Sequence, residues 1–206
     1  MNFSEICHLQ NNINIDISGQ DWTAKGLKWY RYIYTEATEA VDSLPYKHWK
    51  AQVTDYENLK TEFVDILHFV LSWTIEEYGS VEAAIEELER LPIKKIKLSN
   101  DESIILMLES LIKKSLDQDF HGVLDIFFSL IHSLKTTSIE EISRLYIGKH
   151  CLNSFRLNHG YKEGTYNKIW GGKEDNYHMH RLLDSGIDNC HELYAEFKKI
   201  YNNLQR

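Results

Sequence analysis

Apolar positions recur at steps of three and four along most of the chain. Leu27, Tyr30, Tyr34, Ala37 and Val41 fall on one helix face. This spacing predicts a helix over about residues 21–42, closed by Pro45. A short aromatic and basic loop follows, Tyr46-Lys47-His48-Trp49-Lys50. Thr54-Asp55-Tyr56-Glu57 then has capping-box form, and the helix behind it should run to Gly79. Its middle (Phe63, Val64, Ile66, Leu67, Phe69, Val70, Leu71, Trp73) is apolar on nearly every side, which predicts a place at the centre of the fold. Residues 80–90 read as a shorter, acidic, exposed helix. Ser99-Asn100-Asp101-Glu102 opens an apolar-periodic run to about Leu116, and residues 123–134 read as another helix. Thr137-Ser138-Ile139-Glu140 opens a last helix that ends before Gly160. No stretch alternates β-branched residues between turn signals, so no sheet is expected. The expectation is one all-α domain over residues 1–206, a helical bundle with a mobile tail after Gly160.

Composition narrows the class. The chain has 206 residues, of which 43% are hydrophobic and 26% charged, values of a globular domain rather than a disordered one. Only two prolines interrupt it, which leaves room for helix almost throughout. Lys+Arg is 23 against Asp+Glu 31, a net charge of −8 with no basic excess for binding nucleic acid. Cys7, Cys151 and Cys190 are odd in number and far apart, so neither a disulfide framework nor a thiolate metal site is expected. Reduced thiols fit a cytoplasmic protein. Residues 1–9 lack a basic leader, and the apolar stretch 63–75 contains Asp65 and His68 and is too short to span a bilayer, so neither secretion nor membrane attachment is expected.

Two carboxylate pairs carry candidate chemistry. Glu36-Ala37-Thr38-Glu39 lies in the first long helix and Glu62-Phe63-Val64-Asp65 in the second. Residues three apart share a helix face, so each pair can aim at one spot. Such acids are ordinary solvated groups on most helices, and Glu36 and Glu39 alone fit that reading. Glu62 and Asp65 are odder, because apolar residues surround them. Carboxylates facing a core repel one another and lose hydration unless a cation neutralises them. If the two helices pack antiparallel, four carboxylates converge into an oxygen cage suited to Mg²⁺, with Mn²⁺ as the alternative ion.

The stretch from residue 146 to 176 is polar and cationic. Lys149, Asn153 and Arg156 fall at helical steps on one face, followed by Tyr161, Lys162 and a glycine-broken segment. A solvated face with a turn-rich tail would look the same, but a cationic helix end and a flexible Lys-bearing loop can also close over phosphates. Gln10 and Asn14, four apart, are either surface amides or readers of a base edge. Trp49, Phe69 and Tyr46 can stack on a base or simply fill core. His68, a turn from Asp65, either orients a metal ligand or packs as a core histidine.

These residues resemble the dimeric all-α dUTPase family, within the MazG-like all-α nucleoside triphosphate pyrophosphatases. The superfamily pattern is ExxE followed about two dozen residues later by ExxD. The segments LQNNIN, YTEATEAVDSLPYKHWK, LKTEFVDILHFVLSW, YIGKHCLNSFRLNHGYKEGTY and GGKEDN resemble family segments in family order. The likeness covers residues 9–73 and 145–176. Residues 81–134 then read as a variable helical insert and residues 160–176 as a mobile phosphate-side segment.

The resemblance implies a fold of the all-α pyrophosphatase type, with a central carboxylate-bearing helix pair. It implies that Glu36, Glu39, Glu62 and Asp65 hold Mg²⁺, with Glu36 orienting the attacking water. It places Gln10, Asn14, Trp49, Phe69 and Asn153 around deoxyuridine, and Lys149, Arg156, Tyr161, Lys162 and Asn176 on the phosphate side. The implied activity is hydrolysis of dUTP, and also dUDP, to dUMP by a homodimer whose sites draw on both subunits. One rival is a sister pyrophosphatase acting on dCTP or another noncanonical nucleotide. A second is a helical partner-binding protein without turnover.

Overall fold

The computed structural model describes residues 1–135 and 137–203. The elements are, in order, α1 (Phe3–Ser18), a 3-10 turn (Trp22–Lys25), α2 (Trp29–Asp42), α3 (Tyr56–Tyr78), α4 (Val81–Arg90), α5 (Asp101–Leu116), α6 (Phe120–Ser133), α7 (Ile139–Asn158), β1 (Ile169–Trp170), β2 (Lys173–Glu174), α8 (Asp175–Asp184) and α9 (Cys190–Asn203). The molecule is all-α, and among the described residues the one departure is a hairpin in which Ile169 pairs with Glu174 and Trp170 with Lys173. That hairpin corrects the expectation of no strand. It is two residues long on each side, too short to show alternation.

The helix expected from residue 21 is two pieces. Gly26 adopts the left-handed conformation (φ +59°) and separates the 3-10 turn from α2. At the start of α3 the cap is one residue later than the sequence pattern suggests. Asp55 accepts from the Asn58 amide, while the Thr54 hydroxyl donates to Asp101 at 2.5 Å. The same one-residue offset recurs at α5, where Asn100 rather than Ser99 forms the reciprocal capping box, with Ser103, and at α7, where the Glu141 amide donates to Ser138. Ser80 caps α4.

The chain divides into two compact units, Met1–Ile142 and Ser143–Arg206. In the first, α3 is central. Leu59, Phe63, Val64, Ile66, Leu67, Val70, Leu71 and Ile75 are all buried, as their all-round apolarity predicts. α1, α2, α4 and α6 pack against α3, and α5 packs against α2 and α6. α4 is amphipathic rather than simply exposed, burying Val81, Ala84 and Leu88. α2 and α3 run antiparallel. The Asp55 amide and the Asn58 side chain bond to Ser43 at one end, and Trp29 Nε1 donates to Glu76 at 2.7 Å at the other.

In the second unit, Phe155, Trp170, Met179, Leu183, Leu193, Phe197 and Tyr201 form an apolar core. α8 and α9, which lie beyond the segments with a sequence signal, supply most of it. Gly148 on α7 permits a close approach, because a Cβ there would lie 2.9 Å from Leu183 Cδ1. Cys151 and Cys190 form a disulfide across 39 residues, with Cα atoms 5.5 Å apart. This overturns the expectation of three reduced thiols. The pairing is made by tertiary approach, which sequence spacing does not encode. Cys7 is free and buried, and burial pushes its thiol up to about 12.

Candidate active site

The first unit gathers acids on its central antiparallel pair. One carboxylate oxygen each from Glu36 on α2 and from Glu62 and Asp65 on α3 lies within 4.8 Å of the others. Glu62 is only 7% exposed, and Glu36 and Asp65 are half-buried. Glu39 is exposed and lies outside this group of three. At such separations ionised carboxylates repel each other by roughly 3–4 kcal/mol per pair at an effective dielectric near 20. The donors are all oxygen and sit on two packed helices, a set that suits a hard divalent cation. The residues present therefore fit a metal of the Mg²⁺ class.

On the same helix, α3, an amide network meets α1. Gln10 and Asn14 are buried, not surface amides. Gln10 Nε2 donates to Asn14 Oδ1 at 3.0 Å and to Ser72 Oγ at 2.9 Å, and Asn14 Nδ2 donates to Ser72 Oγ at 2.9 Å. His68 Nδ1 lies 2.6 Å from Gln10 Oε1. So His68 is buried and joins the residues proposed to read a base. Phe69 packs against Tyr32 and Trp29, with ring centroids 5.1 and 6.4 Å away. Trp49 is 68% exposed and its ring stands against His48 alone among the described rings, apart from Phe69.

The second unit builds a cationic cluster around one buried acid. Arg156 Nε and Nη2 each donate to Asp175 at 2.8 Å, a bidentate pair. Arg156 Nη1 donates to Asn153 at 3.1 Å, and Lys149 Nζ to Asn176 at 3.1 Å. The Tyr166 hydroxyl donates to Asp175 at 2.8 Å. Asp175 is fully buried. Burial opposes its ionisation, yet the hydrogen bonds and charge of Arg156, the Tyr166 hydroxyl and Lys149 hold its carboxyl below the usual range. Burial, with the Asp175 charge beside it, pushes the Tyr166 hydroxyl up. Tyr161 is exposed, with the Arg156 guanidinium 5.8 Å and Lys168 Nζ 5.7 Å from its ring centroid. Lys162 is exposed as well.

The fold thus joins Glu36, Glu62 and Asp65, joins Gln10 with Asn14, and joins Lys149, Asn153, Arg156 and Asn176. Sequence reasoning missed Ser72, Tyr166 and Asp175. Ser72 carried a signal, being a polar residue within an otherwise apolar helix. Asp175 stood inside the quoted segment GGKEDN with no spacing rule to single it out.

A helical bundle with an oxygen-only cluster on the antiparallel α2–α3 pair defines an all-α protein with three carboxylates placed where they could hold a metal ion. Residues 2–161, over three quarters of the chain, match the model of the family described as dUTPase, and the chain belongs to this all-α dUTPase family. It is a dUTP diphosphatase, and dUTP hydrolysis is its activity. The matched span includes residues 81–134 and ends at Tyr161. No curated protein matches the chain. Among the described residues, no helix is long and apolar enough to cross a membrane.

Proposed function

We propose that this enzyme cleaves dUTP to dUMP and pyrophosphate with Mg²⁺, Mn²⁺ being the alternative ion, and also converts dUDP to dUMP. The observation that carries the reading is the oxygen cluster of Glu36, Glu62 and Asp65 in a chain of the dUTPase family. Glu36, Glu39, Glu62 and Asp65 would hold the cation, Glu39 from the next turn of α2. When bound, the cation supplies neutralisation of phosphate charge and acidifies a coordinated water. Glu36 would orient the attacking water. Gln10, Asn14, Trp49, Phe69 and Asn153 surround the deoxyuridine. Lys149, Arg156, Tyr161, Lys162 and Asn176 serve the phosphate side, with the Arg156–Asp175 pair holding Asn153 and Asn176 in register. The segment 160–176 carries Lys162 towards the outer phosphates and excludes water on closing.

The enzyme works as a homodimer, with sites drawing on both subunits. It keeps uracil out of DNA and supplies dUMP. Turnover of dUTP, dUDP, dCTP and dTTP, in Mg²⁺ and in excess chelator, tests the reading. Selective release of dUMP and pyrophosphate from dUTP, abolished by chelator, is expected. Comparable turnover of dCTP would overturn the uracil assignment, and full activity in chelator the metal role. Light scattering tests the dimer, which a monomer mass at working concentration would exclude.

A further inference from the structure

We propose that Ser72 is a positioning residue that locks the Asn14 amide in the one orientation that suits uracil and not cytosine. The inference rests on the reading of Gln10 and Asn14 as base-contacting residues.

The argument is one of hydrogen-bond direction. Ser72 Oγ has a single proton, and it donates that proton to the His68 carbonyl one turn back at 2.8 Å. Towards every other neighbour the hydroxyl can only accept. Two side-chain amides face it, Gln10 and Asn14, both at 2.9 Å. Each must present its NH₂ group there, because a carbonyl oxygen would meet an oxygen lone pair. Gln10 Nε2 spends its two protons on Ser72 and on Asn14 Oδ1. Gln10 Oε1 then faces His68 Nδ1, which must carry the proton between them. Every amide in the set thus has a defined sense, and Ser72 is the point from which that sense is imposed.

The consequence falls on Asn14. Among the described residues, its Nδ2 makes one hydrogen bond and its Oδ1 accepts one. One N–H and one lone pair remain, pointing to opposite sides of the amide, because its side-by-side edge is spent on Ser72 and Gln10. Uracil carries a carbonyl oxygen at position 4, an acceptor for that N–H. Cytosine carries an amino group there, a donor that the N–H would oppose. An Asn amide free to turn over would serve both bases, since rotation about its last bond exchanges donor and acceptor. The locked amide serves one. Turning it over would set NH₂ against the Gln10 NH₂ and oxygen against the Ser72 oxygen, breaking two bonds at once. Ser72 is fully buried, so no water replaces what is lost.

The test compares kcat/KM for dUTP and dCTP in the unaltered enzyme, Ser72→Ala and Ser72→Thr, with thermal melts of each. Thr keeps the hydroxyl, and Thr61 and Thr74 already make the same bond to the carbonyl one turn back in α3. Ser72→Ala should raise the dCTP-to-dUTP ratio of kcat/KM by about tenfold. The change should come mainly through a higher KM for dUTP, with kcat kept. Ser72→Thr should return the ratio towards that of the unaltered enzyme. If Ser72→Ala does not fold, Ser72→Cys keeps the volume and weakens the acceptor, and the same shift is expected. An unchanged ratio in a folded variant, or equal loss on both substrates, overturns the lock and leaves Ser72 a packing residue. An unaltered enzyme that does not prefer dUTP overturns the base-reading role itself, and the lock with it.

Discussion

The acidic cluster on α2 and α3 and the cationic cluster on α7 and α8 solve opposite problems. Glu36, Glu62 and Asp65 bring like charges within 4.8 Å, an arrangement whose mutual repulsion a bound cation relieves. Around Arg156 the protein balances its own charge. Asp175 lies buried against the guanidinium, and Asn153, Asn176 and Tyr166 complete the hydrogen bonds. The first arrangement has the character of a site, because oxygen donors from two helices converge on one spot. The second has the character of a frame, because its central charges are already paired. A cationic stripe in a sequence does not distinguish groups that meet a substrate from groups that hold those in place.

The contrast can be broken at its strongest point first. Glu62→Gln keeps shape and removes one negative charge from the cluster. Turnover of dUTP should fall by at least about a hundredfold, the rate equivalent of roughly 3 kcal/mol of cation attraction. The fold without metal should be as stable as before or more so, since repulsion is relieved. Steady-state kinetics and a melt in chelator read both. Normal turnover with a lowered melting temperature would make Glu62 a structural acid.

The mirror experiment is Asp175→Asn, which leaves a buried guanidinium without its counter-charge. Loss of one partner of a buried pair costs about 3–5 kcal/mol, and denaturant unfolding of the full chain measures it. The same pair sets an acid limit. The carboxyl of Asp175 titrates below its ordinary 3.8 in the folded state. Its stabilising contribution is therefore complete above that range and is lost as pH falls through the lowered folded value. Stability of Asp175→Asn should be flatter than that of the unaltered protein as pH falls below about 4.

Smaller effects sharpen the comparison. Reducing the Cys151–Cys190 disulfide opens a loop spanning 39 residues of separation. The expected loss is about 2–4 kcal/mol, confined to the second unit and visible as faster hydrogen exchange in α9. Trp49→Ala should shift stability by less than about 0.5 kcal/mol, because that side chain is 68% exposed. A raised KM for dUTP at unchanged stability would place Trp49 against the base, and an unchanged KM would remove it from the pocket.

Much of this protein was legible before its structure. The start of α5 to within a residue, the stop at Gly79 and the central burial of α3 follow from capping chemistry and all-round apolarity, which are local properties. Glu62 and Asp65 stood out because acids are expensive within an apolar helix. Other features left no local trace. Gly26 broke a helix whose periodicity ran straight through it, since glycine is permissive rather than prohibitive. α8 and α9 were not assigned at all.

The sequence by itself determined the class of fold, two helices bearing paired carboxylates, and the family. The first two depend on residue type and spacing within a turn or two, and the family on several segments in a fixed order. Tertiary structure alone decided which acids meet, that Arg156 belongs to Asp175, that Cys151 reaches Cys190 and that Ser72 orients two amides. Those are contacts between residues 19 to 62 positions apart. Their partners are chosen by packing and by hydrogen-bond direction, neither of which has a period along the chain.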